Sequence, residues 1–491
     1  MPLIRRAAIA VALLLILAAA SLSRAQKPGK LPVSLFANQR TRINAWQWFA
    51  APPANNSYGY VESLLRFGVA QRIRHWDWLL ELSQPAVFDV PDSAISSVPA
   101  QGQLGLGGTY YAASKDQYPS AAFLKQAFVR YHFSGPDKTV RIGRFEFLDG
   151  VETKPENSTI AWLQANRMQQ RLIGNFGFAN AQRSIDGIDA HYGQGAWDVT
   201  AAAGRVDHGV FNMNGNEELD VDFQYLAFTR ADANNHILWR AFGAGYHDGR
   251  TGLTKTDNRF AAARAADHQN IRIGSYGASL MAAAPAGPGQ FDLLLWGTVQ
   301  DGRWGLLDHR ADAVAAEGGY KFGNHSYSPW LRGGWFRSSG DGNNADGTHK
   351  TFFGVLPTPR AFARMPFYNL MNNTDGFVQI IDKPVKRVAL RSDLHWVKLT
   401  SAGDLWYQGG GAFDNKVFGF VGRPSNGHRG LSTVADISAD LSVTKSLDVG
   451  LYYAHATGKA VVSAIYPTGQ NAQYGFVEFD YHWGLGQKPA H

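Results

Sequence analysis

The sequence predicts an all-β fold: a transmembrane antiparallel β-barrel of about eighteen strands, with short turns at one end and long loops at the other. Three observations predict it. Segment after segment of about ten to fourteen residues alternates apolar with polar side chains, the period of a strand whose two faces meet different surroundings. Beyond residue 25 no apolar run reaches the roughly 20 residues that a membrane-spanning helix needs. The composition joins 53 Gly, 29 Phe, 19 Tyr and 14 Trp to only 18% charged residues, with a negative mean hydropathy. Membrane barrels combine these features because only alternate residues face lipid, while lumen and loops are wet.

The first 25 residues stand apart. Arg5 and Arg6 precede an apolar run over 7–20, and the small residues Ser23 and Ala25 follow. This is the pattern of a Sec-type signal peptide cleaved after Ala25. It leaves 26–491 as a single barrel domain, with strands from about 41 to 483. Without Arg5, Arg6 and Arg24 the chain has 44 basic and 40 acidic residues. Net charge therefore names no partner, and nucleic acid is not expected. There is no cysteine, which excludes disulfides and thiolate chemistry.

The strands follow in order. TRINAWQWF (41–49), VESLLRFGVAQR (61–72), HWDWLLEL (75–82), FLKQAFVRYHF (123–133) and TVRIGRFEF (139–147) open the barrel. RSIDGIDAHY (183–192), AWDVTAAAGR (196–205), VDFQYLAFTR (221–230), HILWRAFGAGY (236–246), 271–281 and FDLLLWGTVQ (291–300) continue it. RADAVAAEGGYKF (310–322) and YSPWLRGGWF (327–336) flank a short connection, GNHS. VKRVALRSDLHWVKL (385–399), DLWYQGGGAF (404–413), GLSTVADISADLSV (430–443), SLDVGLYYA (446–454) and YGFVEFDYHW (474–483) complete the set. In the closing strand Val477, Phe479, Tyr481 and Trp483 share one face. Lipid contact ending in aromatics at the membrane boundary accounts for that face. An even strand number places both termini on the periplasmic side.

An ordered set of motifs goes further. QAFV (126–129), VRIGRFEFLDG (140–150) and RSIDGI (183–188) are followed by SSGDGNNADGTHKTFFGVLPTP (338–359), MPFYNLMNN (365–373), ALRSDLH (389–395) and DLWYQGGGA (404–412). With these, nearly all of residues 40–483 resembles the bacterial alginate-export family of outer-membrane β-barrel proteins. The resemblance implies an eighteen-stranded barrel of the bacterial outer membrane, monomeric, with a basic pore that passes anionic polysaccharide and periplasmic export partners. Arg144, Glu146, Arg183 and Asp186 match family motif positions and are carried as lumen candidates on that ground.

Alternation supplies other candidates. Arg66, Arg72, Arg130, Arg332, Arg387 and Arg391 lie opposite the apolar faces and so point into the lumen, together with Glu62, Asp77, Glu81, Asp393 and Asp436. A charge turned to lipid near the midplane would cost about 2–4 kcal/mol. Arginine suits carboxylate transfer because its planar fork binds both oxygens. The competing reading is that the same residues form salt bridges bracing the wall. Two long segments, 149–182 and 338–375, are candidates to plug or gate the pore. The second carries Lys350, Arg360 and Arg364.

No catalytic signature is present, neither HExxH nor GxSxG nor a phosphate-cradling glycine loop, so a channel rather than an enzyme is expected. DGNNADG (341–347) departs from a calcium loop at Ala345 and lacks a closing Glu, so neither metal nor cofactor is expected. The expected partners are anionic polysaccharide or small anionic solutes and outer-membrane lipid. The function expected is passive translocation, in the export direction, of an alginate-like polymer. The alternative is an uptake porin of the same fold for small anionic or aromatic nutrients.

Overall fold

The computed structural model describes residues 33–133, 137–232, 236–323, 328–358 and 364–485. The proposed signal peptide, Arg360 and the chain end after Leu485 lie outside the described residues. Twenty-one strands form among the described residues. The first seven are β1 (Ser34–Gln47), β2 (Ser57–Ile73), β3 (Trp76–Phe88), β4 (Phe123–His132), β5 (Lys138–Phe145), β6 (Ile185–Gln194) and β7 (Trp197–Asp207). Next come β8 (Glu218–Ala231), β9 (Ile237–Asp248), β10 (Ile271–Ala286), β11 (Gly289–Trp304), β12 (Leu307–Lys321), β13 (Trp330–Ser338) and β14 (Thr348–His349). The last are β15 (Asn373–Val385), β16 (Val388–Leu399), β17 (Leu405–Gly409), β18 (Phe420–Pro424), β19 (Gly430–Ser442), β20 (Leu447–Gly458) and β21 (Asn471–Leu485).

Eighteen of these close into an antiparallel barrel. Closure is made by β1, which pairs with β2 on one side and β21 on the other. Pairing on both sides of each wall strand leaves no open sheet edge, as a hydrocarbon surrounding demands. The other three strands, β14, β17 and β18, belong to loops. The count matches the sequence expectation through an exchange. DLWYQGGGAF contributes β17, which pairs only with β18 in a separate two-stranded sheet. The wall strand in its stead is β15, whose alternation is blurred because Phe377 and Ile381 are apolar yet face inward.

The two faces differ as alternation requires. Ile43, Val129, Leu226, Val299 and Ile437 lie on the outside and stay exposed, Val299 to 59%. Their inward neighbours are polar or pack on loops. At the short-turn end, aromatics form a girdle: Trp76 against Tyr131 (4.7 Å), Trp197 against Phe228 (4.5 Å) and Phe291 against Tyr320 (4.8 Å). Rings with an apolar body and polar tip collect at that membrane boundary.

One side of the barrel is low. β5 has only 8 residues, against 16 each for β10 and β11. A sharp corner sits there, at paired Gly143 and Gly187. Gly143 has φ +127°, and a Cβ on it would stand 2.3 Å from the Ala127 carbonyl oxygen. A Cβ on Gly187 would meet the Ala203 oxygen at 2.2 Å. Bends of this kind need glycine. The two motif glycines are explained by curvature.

Candidate functional site

The lumen is the candidate site, and the β5–β6 connection, residues 146–184, folds into it. Within it, the helix Ser158–Leu163 starts at Asn157, whose side chain accepts from the amides of Thr159 and Ile160. Thr159 Oγ1 donates to Gln290 at 2.5 Å, and Trp162 packs on Trp330 at 4.6 Å. Gln290 and Trp330 lie at the short-turn ends of β11 and β13, so the segment descends through the barrel. Ile160, Leu163, Met168 and Leu172 pack with the inward-facing Phe242, Leu294 and Trp296 in one buried cluster. This is why the inner face of β8–β13 is apolar: it meets the plug, not water.

Ionic contacts fix the plug. Glu317 on β12 accepts from Arg167 Nε (2.8 Å) and Nη2 (3.0 Å), Arg171 Nη2 (3.1 Å) and Arg332 Nη1 (3.3 Å). Arg332 also holds Asp292 at 3.0 Å. Arg240 on β9 meets Glu152 at 3.0 Å. On the opposite wall Arg40 donates to the Gly177 carbonyl at 2.6 Å, and the Arg42 guanidinium covers the Phe178 ring at 3.8 Å.

Exposure differs around the lumen. On the plugged side, Arg332 and Asp292 have no exposed side-chain surface and Glu317 has 2%. Across the lumen Asp448 on β20 is half exposed, and Glu478 on β21, Arg66 on β2 and Glu146 keep part of their surface. Partly exposed inward charges therefore lie along β20, β21 and β2, although Arg42 and Glu62 nearby are buried as fully as Glu317.

Glu146 is where the plug leaves the wall. Its carboxylate lies 3.3 Å from Arg66 and 3.2 Å from Lys125. Burial opposes its ionisation, but the two cations overcome burial and hold its pKa down at about 2. A depressed folded value means that the stabilisation is present above the ordinary carboxyl range and lost as pH falls towards 2. Hydrogen exchange at 146–152 should therefore accelerate between about pH 4.5 and pH 2. Glu146→Gln should show the accelerated exchange already at pH 6.

Four of the candidate lumen arginines are inward and paired. Arg66 joins Glu81 (3.0 Å) and Gln182 (3.1 Å). Arg130 holds Asp77 at 3.0 Å, and His132 shares that carboxylate. Arg332 braces the plug as above. Arg391 pairs with Asp393, which also accepts from Gln379 at 2.8 Å. Arg72 is exposed near the short-turn end of β2.

Others depart from expectation. Arg144 and Asp186 face outward: Phe145 and Ile185 beside them are buried inside, whereas Ile142 and Ile188, two residues away, are exposed outside. The pair is a cross-strand salt bridge on the outer wall, Arg144 Nε to Asp186 Oδ1 at 2.8 Å. Arg183 is on no strand. Buried between loops, it donates to the carbonyls of Gly174 (2.6 Å), Leu356 (3.0 Å) and Gly410 (2.7 Å), stapling three connections together. Arg387 sits exposed in the β15–β16 turn, because the predicted strand 385–399 is broken there. Lys350 is half-exposed and pairs with Asp346 in its own loop. The DGNNADG carboxylates are engaged locally, Asp341 by the amide of Asn343 (3.0 Å) and Asp346 by that of Thr348 (3.1 Å). Among the described residues no group of three or more metal-ligating side chains forms.

Arg364 is different. It lies beside Arg391 and Asp440, and among the described residues it makes no ion pair or hydrogen bond. Burial, then repulsion from Arg391, push it below the ordinary arginine value. Sequence reading missed Arg40, Arg42 and Arg141. All three alternate with outward residues (Thr41, Ile43, Val140 and Ile142), and Arg141 pairs inward with Asp189 at 3.1 Å. Parity would have found them.

The sequence profile described as alginate export matches residues 92–472. The chain belongs to the alginate-export family. It is an outer-membrane β-barrel channel. Among curated proteins no match is found. Solved structures similar to this family member are outer-membrane porins. OccAB2 of Acinetobacter baumannii has TM-score 0.60 and 11% identity, covering 92% of this chain and 98% of that one. OpdK of Pseudomonas aeruginosa, solved with vanillate, has TM-score 0.55 and 8% identity, covering 93% and 100%. A BenF-like porin from Pseudomonas fluorescens Pf-5 has TM-score 0.55 and 8% identity, again covering 93% and 100%. At these identities the likeness is one of fold.

Proposed function

We propose that this alginate-export family member passes an anionic, alginate-like polysaccharide passively from the periplasm to the outside. Family membership carries the reading. The short-turn end supports the direction. Arg72, Arg74, Lys383, Lys386, Arg387 and Lys445 are all exposed there. A basic rim concentrates a polyanion at the periplasmic mouth before it meets the narrow path. Arg387, displaced from the lumen, finds its role in that rim. Inside, Arg364 lies beside Arg391, which Asp393 already holds, so a passing carboxylate would meet an Arg364 that makes no ion pair among the described residues.

A second reading has its own support. Most lumen arginines are matched by acids, so the path is less continuously basic than a polymer relay would require. Uptake of small anionic or aromatic solutes fits that balance, as does the fold shared with a porin solved with vanillate. Reversal potentials across a salt gradient test the electrostatic part. The wild-type channel should be anion-selective, and Arg364→Glu should shift the reversal potential towards cation preference. An unselective channel, unmoved by Arg364→Glu, contradicts both readings.

A further inference from the structure

The outer wall carries a cross-strand row of charges at its upper edge. Arg144, Asp186, Arg205, Asp222 and His247 occupy directly paired outward positions on β5 to β9. Here the signs alternate, and the residues satisfy one another: Arg144 with Asp186, and Arg205 with Asp222 at 2.8 Å. The row continues through Arg272 on β10, Arg303 on β11 and Asp308 on β12. At Arg272 the alternation breaks, because Arg303 stands directly opposite it. Like charges at opposed strand positions are destabilising.

Two further arginines lie close by. Arg310 on β12 stands opposite Asp301, and Arg337 on β13 reaches Asp312 at 2.7 Å. Arg303 pairs with Asp308. Arg272 and Arg310 are exposed and make no ion pair or hydrogen bond among the described residues. Four arginines thus face three aspartates, Asp301, Asp308 and Asp312. Beneath them Tyr276, Val299, Val314 and Trp335 are exposed on the same outer face. A groove of about 410 Å³ joins the two levels, lined by Tyr276, Val299, Asp301, Arg310 and Asp312 among others. Around the rest of this edge the outward residues are largely uncharged: Gln47, Ser57, Thr433, Thr457 and Gln473, with Lys398 the exception.

We propose that this β10–β13 face binds a phosphorylated glycolipid of the outer leaflet. Its phosphates sit on Arg272 and Arg310, and its acyl chains lie on Tyr276, Val299, Val314 and Trp335. Unpaired guanidiniums directly above exposed apolar side chains match a lipid whose anionic head tops several acyl chains. The site lies outside the barrel and does not depend on what the lumen carries.

The test is native mass spectrometry of the purified full-length barrel in detergent, titrated with lipid A. The wild type should retain lipid A, and Arg272→Ala with Arg310→Ala should weaken retention about tenfold. Arg272→Lys with Arg310→Lys should restore most of it. Lipid A stripped of its phosphates should behave like the alanine variant. Heat-modifiable gel migration confirms that each variant is folded. Equal retention by wild type and the alanine variant overturns the proposal. So does equal binding of dephosphorylated lipid A, or of phosphatidylglycerol at lipid A affinity.

Discussion

Glu317→Ala should release the plug and raise single-channel conductance several-fold. Glu317 is shared by Arg167, Arg171 and Arg332. Removing it leaves Arg332 with Asp292 and takes from Arg167 and Arg171 the wall carboxylate that ties the plug to β12. Breaking a buried ion cluster by deleting one partner costs about 3–5 kcal/mol. The plug escapes that cost by moving away from β12 into the lumen water, which widens the path. Glu317→Gln preserves shape and some hydrogen bonding, so its conductance should fall between the two. Conductance unchanged in Glu317→Ala, with unaltered protease resistance of residues 146–184, would show that apolar packing alone holds the plug.

Deleting residues 151–180 and bridging them with a short flexible linker should open the barrel more widely and destabilise it. Trp296 and Leu294 are buried chiefly because the plug covers them, and Phe242 with them. Each such side chain loses about 1.5–3 kcal/mol of burial when water replaces the plug. The expected result is a large, weakly selective current together with a lower midpoint in a heat-modifiable migration series. A channel of unchanged conductance would mean that the permeation path never depended on the plug.

Much of this was legible in the sequence, and the limits have physical causes. Strict alternation revealed strands whose two faces differ in polarity, such as β19 with Ile437 outside and Asp436 inside. It failed at β15, where Phe377 and Ile381 point inward yet remain apolar because they pack rather than meet water. The same cause hid the plug's seat: an inner wall covered by a loop loses the polar half of the pattern. Parity placed Arg66, Arg130, Arg332 and Arg391 inward, but it misplaced Arg387, which falls in a turn. Arg144 shares the side of Val140 and Ile142, and the structure puts it outside, against the motif-based assignment. Arg183 was beyond sequence reading, since its partners are carbonyl oxygens on three separate connections. Pairing was equally invisible: alternation finds which arginines face inward, but not that Glu81, Asp77 and Glu317 already hold them.

Export of a polyuronate is decided by block of single-channel current with polyuronate oligomers, with a neutral dextran of equal length as control. Concentration-dependent block is expected from the periplasmic side, stronger than from the outside, and weakened by Lys386→Glu with Arg387→Glu. Block by dextran and polyuronate alike, or current indifferent to both, would contradict it.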